Sequence, residues 1–501
     1  MDEKNTGPVE GLEERPVLRN HPSVILGNLI TVGAVLIFVA IIWASNGVLS
    51  LIEDPKAFVL LIILLIGLCF IFYRRWKLTT YTFGDTEITV DRNTVFKNKV
   101  HIQYSKLASV NVRRNIVNHL FGTTTLLFNV NSSINTAQAE ASLTLKADEA
   151  DRLREAISNR IFQREFVPEK EIKQESMVKV TNFDVILHGL FGQPTVQAVT
   201  GLLFLAYSFI TVFWGNGSGV LLALLMFALT TALPWVRTIL RYYNYRIYRV
   251  GDTITVESGL ISNYRSSFKI KKVNAVRVRE PLLARLLGKA LLEAEVIGLA
   301  DAEGLPLLCP LKGKRVVMDL GQNLIPEFLI DYEPRGQPKK AFVPTMAYRF
   351  ILSAAIVLIG VAAYLFLKSM TLEPGDEFIL RIATIADIAL TVAIPLLLIV
   401  HGLLAHGHRE FDMKGDVFMF VIGGYDRETD YIKFDKVQKT VVSAGIIQRR
   451  FGVARCTVSL MAASGFKDFQ SGLFSEEELS KVPEEIMARI KDGRYDYRVY
   501  Q

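Results

Sequence analysis

The residue with the clearest chemical potential is Asp387, a carboxylate inside the apolar run Ile382 to Leu404, with Arg381 just outside it. An acid in lipid costs about 2.5 to 3.5 kcal/mol on insertion scales, so it is expected to face water, a partner or the outer interface. A proton or ion path is the sharper reading of Asp387; a shallow or packed acid is the plainer one. Three imidazoles, His401, His406 and His408, gather at the other end of the same run. Spacings of five and two do not stack on one helical face, where neighbours are three and four apart, so they read as interfacial polar residues and no metal site is expected. The cysteines Cys69, Cys309 and Cys456 lie far apart, with no partner at metal-ligand spacing, which implies neither a disulfide framework nor zinc. Nucleophile elbows, phosphate-cradling glycine loops and His-Glu-x-x-His are missing from the sequence, so catalysis is not expected, nor is a cofactor.

Cationic side chains offer a different chemistry. Lys269, Lys271, Arg277 and Arg279 alternate with Phe268, Ile270, Val276 and Val278, and a strand would place the charges on one side. Arg265 and Lys272 stand beside them, and Lys436, Lys439, Arg449, Arg450 and Arg455 occupy a matching later region. Near an anionic leaflet each base contributes about 1 kcal/mol, so this is a candidate face for headgroups or a partner. Alternating charge is equally the pattern of a solvated face or a protected sheet edge.

The elements that must carry these residues are largely apolar. Half of the 501 residues are hydrophobic and the mean hydropathy is +0.29, too high for an ordinary soluble chain of this length. Six runs approach the roughly 20 residues needed to cross about 30 Å of hydrocarbon: Val24 to Ala44, Ala57 to Tyr73, Val196 to Trp214, Gly219 to Val236, Phe350 to Leu367, and Ile382 to Leu404. Short gaps pair them into three hairpins. The first run is expected to stay as an anchor, being longer than a signal-peptide core. Arg74, Arg75 and Lys77 follow the second run, Arg237, Arg241 and Arg246 follow the fourth, and Lys339 and Lys340 precede the fifth. Retention of positive charge inside then places the N-terminus and all long polar segments in the cytoplasm of a multi-pass plasma-membrane protein. Trp43 and Trp214 fall at the expected outer ends, Trp76 and Trp235 at the inner ends. A net charge of +7 is explained by this topology and is too sparse for nucleic-acid binding.

The polar segments repeat. Each opens with Gly-Asp, at Gly84, Gly251 and Gly415. A lysine follows 21 or 22 residues later, at Lys106, Lys272 and Lys436, after apolar residues at minus four and minus two (Ile102 and Tyr104, Phe268 and Ile270, Ile432 and Phe434). An aliphatic residue comes next, and a glycine stands sixteen residues past each lysine, at Gly122, Gly288 and Gly452, behind Phe121, Leu287 and Phe451. Strand patterning covers Tyr81 to Asp91 and Leu126 to Asn131, and a helix capped by Asp148 and carrying Ala150, Leu153, Ile157 and Ile161 inward closes the first copy. Ser475 and Glu478 form a capping-box pattern, with a second helical stretch expected to begin at Pro483. Copy two's closing helix is hard to place around Gly313 to Gln322, and copy three lacks a clear second strand near Gly423-Gly424.

In these hairpins and this repeated pattern the chain resembles the YdbT-type family, whose members alternate transmembrane hairpins with bacterial pleckstrin-homology-like (bPH2) domains. The implied fold is an α+β membrane protein: six helices in three hairpins, alternating with three cytoplasmic PH-like barrels or sandwiches, each closed by a helix. The implied order is a tail (1–23), hairpin (24–76), domain (77–175), hairpin with lead-in (176–242), domain (243–338), hairpin (339–407) and domain (408–501). The expected function is non-enzymatic binding or scaffolding at the inner leaflet, with lipids as partners and a homo-oligomer compatible. The resemblance adds a smaller one-hairpin PH-like membrane partner and a link to tolerance of membrane-active antimicrobial peptides. A transporter or export channel gated by the cytoplasmic domains is the alternative.

Overall fold

The computed structural model describes residues 17–30, 32–33, 55–93, 97–130, 141–162, 176–213, 217–260, 263–296, 307–369, 377–462 and 465–494. Trp43, Trp214 and most of the first apolar run lie outside them. Two compact units divide the chain: Met1–Val273 with Ala294–Leu320 and Ala462–Gly465, and Asn274–Glu293 with Gly321–Met461 and Phe466–Gln501. The division falls inside the second copy.

In the first unit, β1 (Val17–Leu18) precedes the apolar helix α1 (Pro55–Lys77), and the chain returns as β2 (Thr79–Phe83), β3 (Glu87–Asn93) and β4 (Lys97–Gln103). These form one antiparallel sheet in the order β1-β2-β3-β4. A 3-10 turn, Tyr104–Lys106, leads into β5 (Leu107–Arg114), a short helix α2 (Ile116–Leu120), β6 (Thr123–Val130), β7 (Ala141–Lys146) and the closing helix α3 (Ala147–Phe162). Asp148 sits within α3's first turn, one residue inside the helix rather than ahead of it. Apolar residues at alternate strand positions and at three- and four-residue spacing in α3 meet in one core containing Ile88, Val90, Leu126, Phe128, Leu143, Ala150, Leu153 and Ile157.

Next come α4 (Asn182–Phe191), capped by Thr181 and held to the rest of its unit by Lys312, whose Nζ lies 2.5 Å from Asp184, and α5 (Thr195–Phe213), bent 77° from α4. The return helix runs as α6 (Gly217–Phe227), a π-helical turn Ala228–Ala232, and α7 (Leu233–Tyr242). Pro234 at the start of α7 lacks a backbone donor, and the wider turn before it absorbs the missing bond. Strands β8 (Arg246–Val250), β9 (Thr253–Ser258) and β10 (Asn263–Lys269) follow, and the sheet order is β7-β6-β5-β10-β9-β8. The back strands of copy one and the front strands of copy two are thus a single sheet, joined where Arg265 faces Val112 and Asn263 faces Arg114.

Copy two continues through the 3-10 turn Ile270–Lys272 into β11 (Val273–Glu280), α8 (Leu282–Leu286), β12 (Lys289–Val296), β13 (Leu307–Gly313) and α9 (Lys314–Leu324), which supplies the closing helix the sequence leaves unplaced. In the second unit, β14 (Arg335–Gly336) precedes two long helices, α10 (Phe342–Ser369) and α11 (Glu377–His408), which pack along each other. Copy three is built from β15 (Glu410–Lys414), β16 (Val417–Ile422), β17 (Arg427–Lys433), the 3-10 turn Phe434–Lys436, β18 (Val437–Ser443), α12 (Ile446–Arg450), β19 (Arg455–Ala462), β20 (Gly465–Gln470) and α13 (Glu476–Lys491). The second strand that the sequence leaves unmarked near Gly423-Gly424 is present, with those glycines in the turn between β16 and β17. Pro483 lies inside one continuous α13 and starts no second helix. Here too sheets are shared, because β11 of copy two pairs with β17 of copy three from Ala275↔Ile432 to Glu280↔Arg427. The sheets are open: among the described residues none closes into a barrel.

The repeated signature marks the corners of this design. Lys106, Lys272 and Lys436 each end the 3-10 turn between front and back strands, whose first residue donates its N–H to the preceding hairpin at Thr86, Asp252 or Asp416. Thr86 where the others have Asp shows that copy one carries one extra residue in this hairpin, which accounts for the spacing of 22 instead of 21. Gly122, Gly288 and Gly452 all take φ near +60° just after the short helices, a conformation that only glycine adopts without strain.

Candidate functional site

Each copy also stitches together the two ends of an apolar excursion. Leu18 pairs with Tyr81, Met177 donates its N–H to Ile247, and Arg335 pairs with Phe411, so the segment leaving the sheet and the strand returning from the helices are adjacent three times over. Among the described residues three helices, Ala223–Tyr242, Lys339–Ser369 and Ala383–His408, are long and apolar enough to cross a membrane, and the bent pair α4 and α5 is a fourth candidate.

Beside the end of α7 the shared sheet of the first unit opens into a cleft of about 350 Å³. Four arginines line it: Arg114 from β5, Arg154 from α3, Arg246 from β8 and Arg265 from β10. Two carboxylates accompany them, with Asp151 3.6 Å from Arg114 and Glu257 3.1 Å from Arg265. Tyr264 closes one wall, its ring under the Arg241 guanidinium at 5.3 Å. The cleft's link to the end of α7 is covalent and hydrogen-bonded: Asn244, at φ +52°, turns the chain out of the helix, while Gly259 and Leu260 donate to the carbonyls of Tyr243 and Leu240. Its lining brings together four guanidiniums and two carboxylates, and planar guanidiniums suit a phosphate or carboxylate.

Of the residues the sequence singles out, Arg265 belongs to this cleft. Lys269 ends β10 and Lys271 is exposed on the following turn. Lys272 is half-buried, and burial followed by the charge of Lys269 lowers its amine to about 8. Arg277 and Arg279 do not present a solvent face. Arg277 bonds Asp430 at 2.6 Å and approaches Glu428 at 3.3 Å, while Arg279 lies 3.5 Å from Glu293. Burial opposes the Arg277 charge, yet the adjacent Asp430 and Glu428 outweigh it and hold its pKa above the ordinary value. Arg277 therefore joins copies two and three, whereas Arg279 pairs within copy two. Lys436 lies 3.3 Å from Asp435, Lys439 is exposed on β18, and Arg449 and Arg450 are exposed on α12, Arg449 donating to the carbonyl of Ala444. Arg455 on β19 donates to Gln470. The three histidines go separate ways. His401 Nδ1 meets Arg349 at 3.2 and 3.3 Å, His406 stacks edge-on with Phe342, and His408 lies against Arg285 and the carbonyl of Gly424. Asp387 is half-buried on α11.

Arg114, Arg154 and Arg246 escape a linear reading because they come from two copies and converge only when β10 pairs with β5. The same holds for the tips of the short helices. Leu120 is 74%, Leu286 75% and Ile446 90% exposed. Contacts within each unit place these tips by the polar ends of apolar helices. Phe121 meets His21, just before the helix that begins at residue 23; Arg285 meets His408 at the end of α11; and Phe451 packs against a buried cluster of Val453, Leu473 and Ala341, the last just before α10.

A family model for the bacterial PH domain matches residues 24–161, 198–321 and 350–490, more than half of the chain. The chain belongs to the bacterial PH domain family. It is also similar to the UPF0699 transmembrane protein YdbT of Bacillus subtilis (strain 168), with 20% identity over 320 residues. That match covers 57% of this chain and 64% of the relative, so the chain spans just under two thirds of the relative's length. No solved structure matches. The protein is therefore a membrane-associated, YdbT-like chain of tandem bacterial PH domains.

Proposed function

We propose that the protein is a non-enzymatic scaffold of the inner membrane leaflet that holds anionic lipid headgroups in the arginine cleft. The carrying observation is the cleft itself, four arginines to two carboxylates beside the end of the apolar helix α7. At that depth a headgroup phosphate would reach the guanidiniums without leaving the bilayer, and low-dielectric surroundings strengthen such charge-assisted bonds. The exposed tips at Leu120, Leu286 and Ile446 add apolar anchors of the kind that settle among headgroups. This reading takes all six apolar runs as spans in three hairpins, with every PH-like copy cytoplasmic. Sheet stitching at the base of each excursion supports an even number of crossings, and Arg74, Arg75 and Lys77 in the last turn of α1 support the orientation. A smaller one-hairpin PH-like partner and a part in antimicrobial-peptide tolerance fit this role.

The test compares lipid retained by the purified full chain with that retained by an Arg154→Gln, Arg246→Gln variant, offered anionic and zwitterionic lipid over a salt series. Selective, salt-sensitive retention of anionic lipid that disappears in the variant is expected. Equal retention of both lipids, or an unchanged anionic preference in the variant, would overturn the reading.

A further inference from the structure

The copies of this chain are joined by one strand-pairing rule, applied twice. Between copies one and two, Arg265 faces Val112; these lie seven residues before Lys272 and six after Lys106. Between copies two and three, Asp430 faces Arg277, six before Lys436 and five after Lys272. Every facing pair in both junctions, among the described residues, obeys this relation: a residue n positions after one lysine faces the residue n+1 positions before the next copy's lysine. Register is strict because a one-residue slip would turn every side chain to the opposite face.

Two strands are left at the ends of the series. β4 is copy one's counterpart of β10 and β17, and β18 is copy three's counterpart of β5 and β11. Among the described residues β4 pairs only with β3, and β18 only with β19, so each ends its sheet. β18 also carries the same irregularity at its start as β5, at Val437/Lys439 and Leu107/Ser109. An open strand edge is a template for another strand. Along β18 it is accompanied by a groove of about 400 Å³ lined by Val437, Lys439, Ile486, Met487 and Ile490. A closing helix does not prevent pairing there, since α3 packs on β5 while β5 is paired with β10.

We propose that β18 of one molecule pairs antiparallel with β4 of a second molecule of this chain, in the same register as the two internal junctions. The rule then sets Val441 opposite Val100, with Lys439 opposite Ile102 and Ser443 opposite Asn98. No like charges oppose each other: Lys99 meets Val442 and Lys97 meets Ala444. The Val441–Val100 position corresponds to Arg277–Asp430 at the internal junction, apolar against apolar in place of cation against anion. Exchanging partners would put Arg277 against Val100 and leave a buried charge unmatched, so the side chains discriminate against the wrong junction. Both internal junctions already join copies carried by successive hairpins of one membrane protein, and an intermolecular repeat of them is the same operation. Such a contact is head-to-tail, generating rings or rows.

Two differently tagged full-length chains, both with Cys69→Ser, are coexpressed in membranes, one bearing Val100→Cys and the other Val441→Cys, and oxidised mildly. Directly opposed positions approach disulfide distance, whereas displaced ones do not. The expected result is a mobility shift to a two-chain species carrying both tags, absent when His101→Cys replaces Val100→Cys. Failure of the in-register pair to link overturns the proposal, and so do equal yields from the displaced pair. With both cysteines on one chain, a link that forms only within that chain also overturns it, as does a Val441→Cys link exclusively to a smaller membrane protein. Val100 is half-exposed and Val441 exposed, and the mobility of each cysteine-substituted variant on a sizing column checks its folding.

Discussion

Lys272 shows how a repeat position acquires a measurable cost. It ends the 3-10 turn between two sheets, where burial and then Lys269 lower its amine to about 8, against roughly 10.4 in an unfolded chain. Below about pH 8 the amine is protonated in both states and the folded state carries the full desolvation penalty. As pH rises from about 8 to about 10.5 the folded state sheds its proton first, the penalty declines, and above that window it is gone. Lys272→Met is therefore expected to raise the melting temperature at pH 7, with the gain shrinking toward pH 10.5. A gain independent of pH would mean that methionine simply packs better. Arg277 is the opposite case, a buried base held by Asp430, whose side chain is 1% exposed. Asp430→Asn should destabilise the fold by about 3 to 5 kcal/mol, since it removes the nearer and more buried of the guanidinium's two acids, and adding Arg277→Met should recover much of that loss. Purely additive losses in the double variant would contradict a coupled pair.

At the scale of elements, much was legible because periodicity and turn chemistry are local. The apolar runs at Ala57 to Tyr73 and Val196 to Trp214 emerge as α1 and α5 with small shifts, and the lysine and glycine signature proves to be the corner turns and positive-φ caps. The hidden parts are non-local. Arg277 reads as a solvent-facing base because Asp430, which neutralises it, lies in another copy 153 positions away. Pro483 reads as a helix start, yet α13 runs through it because Leu479, Val482 and Ile486 are buried on one face. Close packing is equally invisible in sequence: a Cβ on Gly360 would collide with Thr391, so α10 and α11 approach through a small residue, as membrane helices do. Gly360→Val should separate this pair and lower thermal stability by several degrees, while Gly67→Val on α1, which has open space around it among the described residues, should not. The comparison is read from melting curves of the two variants in one detergent, and equal behaviour would argue against Gly360 as a contact point.

At the scale of the whole molecule, the repeat is not a string of self-contained domains. Copy two gives its front strands to a sheet completed by β5 and its β11 to a sheet completed by β17, and the compact units divide between Val273 and Asn274. A copy cut out of this arrangement would expose two strand edges together with Arg277, which Asp430 neutralises in the intact chain. Short sheets with open edges are marginal in water, and a buried base without its acid is destabilising. Residues 243–338 expressed alone are therefore expected to lack a cooperative thermal transition and to aggregate. Residues 77–175 keep the core of the first copy around Phe128 and Leu143, and are expected to retain more structure. Far-ultraviolet circular dichroism during heating separates the cases. A sharp transition from the isolated second copy would show that strand sharing merely decorates autonomous domains, whereas its absence, with recovery when copies two and three are joined through their hairpin, would establish the shared sheet as the folding unit.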